Sequence, residues 1–493
     1  MPSRTRSLLF LLAVVVALAA LPAVTAAAAS DSATVAKAHA KHRHAAKRLG
    51  GKVRRAWPAP GTRRPGTSIT RWLAQQVGPQ TPVACSQRPR RVRARCAARH
   101  VGSAKGAAAV ASSAGERVAI AAADGDAVKP LQLIRSFDIP ADDPLYDQLL
   151  NWSWTYDSAV AATAFAAVDL QDQAGRLLDQ LAALQRKDGS IEFAFDVLTG
   201  ESSDQTRSGA IAWAGIGFTD YDAHFGDARY LGNARLAADY LLSLRNGDGL
   251  VRGGPDVKWV STQHNLLTVI FLTNLSERLD KAGDPKAADR YRAAAEEISK
   301  GIDTQLLVTP AQAKKSDEKG TSTLRYFRQG VGDDVIPLDT QAIGVVYAIF
   351  RGDDQLAKEL YAYAKAGFAL KNRKIATSKK TESYNMTYAA KGPFSGFRPY
   401  LGKGAPDVLW FEGTAEMRLV GSFLGESTET LDKSMNAWWD VTRKQGLAPL
   451  GADKTVTDNT YNQYHVWPTA AAGAWAVLSG ASKETSWAIP PGE

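Results

Sequence analysis

The chain has 493 residues, 45% of them hydrophobic and 22% charged, and a formal net charge of +10. That is enough chain and apolar content to bury a sizeable core. Its two cysteines, Cys85 and Cys96, are too few and too far from other ligands for a zinc site.

Arg4 and Arg6 precede an apolar run from Leu8 to about Ala29, and Ala27, Ala28 and Ala29 stand before Ser30 as a small-residue cleavage site. Residues 1–29 therefore read as a secretory signal peptide; the alternative is an uncleaved membrane anchor, since the run is just long enough to span. Residues 30–130 hold 20 Lys and Arg against 4 Asp and Glu, with much Ala, Gly, Ser and Pro. A segment of that composition cannot bury enough surface to offset its ordering entropy and is expected to be a disordered basic arm. The signal carries +2 and the arm +16, leaving −8 for residues 131–493, so the basic balance belongs to the arm. An anionic cell-envelope polymer is one partner for it, a solvated linker with no partner the other reading. It lacks interleaved aromatics, so nucleic-acid binding has no support. Both cysteines lie in the arm, where an oxidising compartment would let them close a small loop.

Residues 131–493 carry helical periodicity throughout. First helices are expected near 156–168, 207–225, 262–282, 338–351, 409–424 and 464–479. Second helices are expected near 170–186, 228–245, 285–307, 353–370 and 427–445. Apolar runs end at Gly226-Asp227, Gly283-Asp284, Gly352-Asp353 and Gly425-Glu426. Glycine there supplies the left-handed residue that closes one helix, and the acid can cap the next. Four such pairs mark a repeated helical hairpin. The long loops all precede first helices, so six hairpins close into a ring with first helices inside. The expected fold is all-α, an (α/α)6 toroid acting as a monomer. A sixth second helix is missing, unless Asp143 to Trp152 supplies it.

Polar and aromatic residues collect where the first helices begin: Trp154, Tyr156 and Asp157; Arg207 and Ser208; Trp259, Gln263, His264 and Asn265; Asp333, Asp334 and Asp339; Trp410 and Glu412; Tyr461, Tyr464, His465 and Trp467. Parallel inner helices bring these starts to one end, where N–H groups and the helix dipole favour carboxylates. Aromatic faces stack on sugar C–H surfaces, and carboxylates bond hydroxyls or move protons. Glu412, Asp157 and Asp339 are the catalytic candidates, and the aromatics with Gln263, His264 and Asn265 the binding candidates. Each has a plain alternative. Asp157 and Asp339 are also placed to cap helices, His264 and the Tyr461–Trp467 group to pack a core, and Glu416 to bond a neighbouring helix. No metal cluster, phosphate loop or Ser-His-Asp arrangement stands out, and no cofactor is expected.

At these residues the chain resembles the six-hairpin glycosidase-like proteins. The carriers are Thr155-Tyr-Asp-Ser-Ala-Val-Ala-Ala, Trp259-Val-Ser-Thr-Gln-His-Asn, Pro337-Leu-Asp-Thr-Gln, Trp410-Phe-Glu-Gly-Thr-Ala and Trp467-Pro-Thr-Ala-Ala-Ala-Gly-Ala-Trp, over about residues 140–480. The resemblance implies a site at the inner-helix N-termini and inverting hydrolysis of a poly- or oligosaccharide by two carboxylic acids. Gln263 departs from the pattern, which implies Glu before the His. Three classes stay open: a secreted glycoside hydrolase, a non-catalytic glycan-binding or envelope scaffold, and a polysaccharide lyase using Tyr464, His465, His264 and Asn265.

Overall fold

The computed structural model describes residues 65–88, 129–141, 143–316, 323–374, 393–441, 449–457, 463–481 and 486–488. The signal segment, Cys96 and Tyr461 lie outside the described residues. Among the described residues twelve helices build the ring. In chain order they are α1 (Pro65–Gln75), α2 (Thr155–Ala166), α3 (Gln171–Leu184), α4 (Ser208–Phe225), α5 (Leu231–Ser243), α6 (Thr262–Lys281), α7 (Pro285–Gln305), α8 (Leu338–Phe350), α9 (Asp354–Gly367), α10 (Phe411–Phe423), α11 (Glu429–Val441) and α12 (Ala470–Gly480).

The even-numbered helices form the inner wall. Each packs on the next, α2 on α4, α4 on α6, α6 on α8, α8 on α10, α10 on α12, and α12 again on α2, so the circle closes. The odd-numbered helices lie outside, α3, α5, α7, α9 and α11 each on the inner helix before it. Sequence explains the two layers. Outer helices are amphipathic, burying only a stripe such as Leu177, Leu178 and Leu181 on α3. Inner helices are buried on nearly every face; in α2 eleven of twelve residues are buried, Tyr156 alone excepted. The hairpin turns follow from their glycines: Gly226, Gly283, Gly352 and Gly425 have φ of 68°, 81°, 65° and 71°. Asp227, Asp284 and Asp353 accept from the main-chain N–H of Arg229, Ala287 and Leu356 as caps. Glu426 instead pairs with Lys365 at 3.0 Å.

Two expectations change. The sixth outer helix is α1, which packs on α12 and buries Ile69, Trp72 and Leu73 in the common core. Residues 65–88 thus belong to the folded body although they fall inside the 30–130 arm. Their charge is sparse, and Arg135, itself 5% exposed, ties them down through the Gly78 carbonyl, Gln76 and Gln80. Arg88 adds a two-pronged bond to Asp147. The Asp143–Trp152 segment supplies one turn, Tyr146–Leu149, and not an outer helix. The last inner helix also starts later than 464, at Ala470, because Gln463–Tyr464 pairs with Val456–Thr457 and Thr469 caps the helix by accepting from Ala472 N–H.

Short antiparallel ribbons stiffen the long loops, Trp152–Trp154 with Ala194–Asp196 and Ile336–Pro337 with Tyr400–Leu401 among them. At the far end, Trp487 (1% exposed) packs against Trp213 and Trp475, its carbonyl accepting from Asn274. No helix among the described residues is long and apolar enough to cross a membrane.

Candidate active site

The inner-helix starts meet at one end of the ring, and three loop devices aim their side chains. Trp154, Pro337 and Trp410 are the extended residues from which α2, α8 and α10 begin, none with a side-chain cap. Trp410 lies between two strand neighbours, Phe397 and Ala452. The start of α10 is further lashed by Asp453, 1% exposed, which accepts from Leu409 N–H and pairs with Arg373 at 2.9 Å. The segment leading into α2 delivers Ser136, whose hydroxyl accepts from Trp154 N–H and bonds Asp157.

Tyr156 and Glu412 meet across the ring. The phenol donates to Glu412 Oε1 at 2.6 Å and accepts from Trp475 Nε1 at 2.7 Å. Indole N–H can only donate, which orients the phenolic hydrogen toward Glu412. Burial, then the neighbouring charges of Asp157 and Asp339, push the Glu412 carboxyl up to about 8, the Tyr156 bond opposing them. Asp339 Oδ2 accepts from Gln263 at 2.9 Å and Oδ1 from Thr340 N–H at 2.7 Å; burial raises it only to about 6 because these bonds favour the ionised form. Asp157, 6% exposed, is pushed by burial to about 7. Glu416, one turn inside Glu412 and 2% exposed, is raised well above the carboxylate range by burial, Asp339 and Glu412.

These contacts decide several alternatives. Glu412 and Asp157 bond side chains of other elements, so neither is a helix cap, whereas Asp339 also holds an N–H of its own helix. Glu416 does not bond a neighbouring helix; its Oε2 is buried with no partner. His264 packs against Gly209, where a Cβ would lie 2.4 Å from the ring, and its Nδ1 shares a 2.8 Å hydrogen bond with Ser208. Burial and Arg207 lower its pKa to about 4, leaving a neutral imidazole. Trp259 lies across Gly330 in the same way and stays half-exposed, as do Trp154, Trp410 and Tyr464.

Two expected binding residues sit elsewhere. Asn265 is fully buried and its amide is spent on the Val251 and Ser261 carbonyls and Val251 N–H, pinning a loop. Trp467, 1% exposed, donates to Asp143 at 3.2 Å and stacks on His465, 3.6 Å between ring centres. Trp467 is thus a core residue, whereas His465 is half-buried like Tyr464, and burial lowers its pKa to about 4. Asp333 folds into its own turn by accepting from Val335 N–H, and Asp334 faces solvent.

Sequence reasoning did not find Ser136, Trp475 or Trp213. Each joins the site by a long-range contact; the Trp475–Tyr156 pair spans 319 residues. Among the described residues no group of three or more His, Cys, Asp and Glu could hold a metal ion.

No protein-family model matches the sequence, and no curated protein does. Solved structures do. A wild-type glycosidase matches with a TM-score of 0.50 at 11% identity, over 70% of this chain and 91% of that one. A glycosidase variant in complex with glucose gives 0.49 at 11% identity, over 71% and 92%. A bacterial glucoamylase complexed with acarbose gives 0.48 at 17% identity, over 69% of this chain and 50% of that one, so this chain spans half of the glucoamylase's length. The closed ring of inner helices inside outer ones, together with the likeness to the wild-type glycosidase, shows that the chain has an all-α (α/α)6 toroid fold.

Proposed function

We propose that this protein is a glycoside hydrolase that cleaves a poly- or oligosaccharide with Glu412 as general acid and Asp339 as general base. The observation that carries it is a pair of buried carboxyls from two inner-helix starts in one aromatic-lined mouth, held differently: Glu412 by the Tyr156 hydroxyl at 2.6 Å, Asp339 by Gln263 at 2.9 Å and by Thr340 N–H. Burial accordingly lifts Glu412 to about 8 and Asp339 only to about 6. Near neutral pH the first holds a proton and the second has lost one, the division of labour that acid/base hydrolysis requires. Tyr156 holds Oε1 of Glu412, so the transferable proton sits on Oε2. Asp339 is held by Gln263 and Thr340 and activates water. Asp157 raises Glu412 by its charge. Trp154, Trp259 and Trp410 supply half-exposed rings for the sugar faces.

Inversion at the anomeric carbon follows if water enters between carboxyls about 6.5–9.5 Å apart. The test is hydrolysis of a panel of oligosaccharides, followed by NMR of the first product anomer. Glu412→Gln and Asp339→Asn should each cut turnover by a factor on the order of 10²–10⁴ while binding survives. Wild-type turnover in both variants overturns the assignment. Gln263 favours a second reading: an amide stands where the resemblance implies a carboxylate, as in a glycan-binding protein without turnover. Tight binding of a glycan that is never cleaved would establish it. The reading includes export, on residues 1–29, and fractionation of an epitope-tagged chain tests that part.

A further inference from the structure

Asp157, Asp339, Glu412 and Glu416 come from three inner helices, and none forms an ion pair with Lys or Arg among the described residues. Glu416 Oε2 is buried and accepts no hydrogen bond. The hydrogen-bond partners of these acids are uncharged: Tyr156 for Glu412, Gln263 and Thr340 for Asp339, and Ser136 for Asp157. At the neighbouring inner-helix starts His264 is neutral. Arg207 is committed to Asp256 at 3.3 Å, to Gln205 and to the Thr206 carbonyl. Among the described residues the mouth is therefore acid-rich, with no Lys or Arg paired to these four acids.

Building on the glycan reading above, we propose that the sugar bound over Glu412 belongs to the non-acidic glycans, neutral or carrying a ring amine, and that uronic-acid glycans are rejected. A neutral sugar donates its hydroxyls to Asp339 and Asp157 at no charge cost. A carboxylate adds negative charge beside these buried carboxyls, where Coulomb repulsion is stronger than in water. An ammonium does the reverse: it is attracted, and it lets a raised carboxyl release its proton to solvent. A lyase acting on uronates needs a group that neutralises the substrate carboxylate, and this mouth offers repulsion instead.

The experiment is titration calorimetry of the full chain at pH 7 and pH 5 against cello- and malto-oligosaccharides, their C6-oxidised forms, and chitosan oligosaccharides of equal length. The expected result is affinity at least about tenfold weaker for the oxidised form than for its neutral parent at pH 7. That gap should narrow at pH 5, where Asp157 and Asp339 gain protons, and in the Asp157→Asn/Asp339→Asn double variant. Equal or tighter binding of the oxidised form, or a gap unchanged in the double variant, overturns the proposal. If neutral ligands bind with the expected gap and are never cleaved, the charge selection stands and the hydrolase reading falls. If no series binds, the glycan reading fails and this inference with it.

Discussion

Asp157→Asn should make the protein more stable at neutral pH, and the size of the gain follows from its surroundings. Asp157 is 6% exposed, bonds Ser136, and has its carboxyl raised from 3.8 to about 7 by burial. Below about pH 4 the folded and unfolded chains both hold the proton, and the group contributes nothing. Between about 4 and 7 the unfolded chain loses it while the folded one keeps it, so stability falls as pH rises. Above 7 both are ionised and the full penalty is in place. At about 1.4 kcal/mol per unit, a shift of this size amounts to about 4 kcal/mol. Asparagine keeps the shape and can still accept from Ser136, but carries no charge to desolvate. Urea melts of wild type and variant at pH 4, 5, 6, 7 and 8 measure the difference. The curves should lie together at pH 4 and separate toward a plateau near pH 8. A wild type whose stability is flat over this range, or a variant that tracks it in parallel, refutes the reasoning.

Tyr156→Phe removes a bond of about 1.5–3 kcal/mol to the ionised form of Glu412, so the alkaline limb of the pH–rate profile should rise by roughly 1–2 units; an unmoved limb separates Tyr156 from the acid. Gly209→Ala drives a Cβ to 2.4 Å from the His264 ring and should cost about 1–3 kcal/mol in a denaturant titration, with no loss if the ring is free to swing. Trp72→Ala should destabilise the whole toroid by about 3–5 kcal/mol, since this 4%-exposed ring belongs to the common core through which α1 joins the ring. Truncation before residue 61 should leave the melting temperature unchanged and truncation before residue 91 lower it, whereas equal melting would show α1 to be dispensable.

The fold was legible wherever its signal is local. Gly283 and Asp284 announce a turn because left-handed backbone and a capping carboxylate are demands of adjacent residues, and the same is true of Gly226 and Gly352. The convergence of Asp157, Asp339 and Glu412 was legible too, because each sits in the first turn of an inner helix and ring closure brings those turns together. Illegible parts depend on distant partners. Ile69, Trp72 and Leu73 have the i, i+3, i+4 spacing of a helix stripe, yet they lie in a stretch whose overall composition reads as a solvated arm. Averaging over a hundred residues hid eleven helical ones. Asn265 and Trp467 look like binding residues beside a His, and only the loop carbonyls and Asp143 reveal that both point inward. Ser136 and Trp475 carried no mark, since a serine and a core tryptophan acquire their roles from what faces them.

The contact between α1 and α12 has a consequence for biosynthesis. Residues 65–75 emerge first and wait for their partner, residues 470–480, about 400 residues later. At roughly 5–20 residues per second that interval is on the order of tens of seconds. Hairpins can form one by one as they are made, each burying its own seam, but the last gap stays open until the final inner helix arrives. During that interval the inner faces of the first and last hairpins are uncovered apolar walls, the surfaces a chaperone would have to shield. The same contact brings two distant parts of the chain together, like a belt buckled on itself. New termini placed at the turn after Gly226 or Gly283, with a linker across the old ones, would move the buckle and shorten the wait.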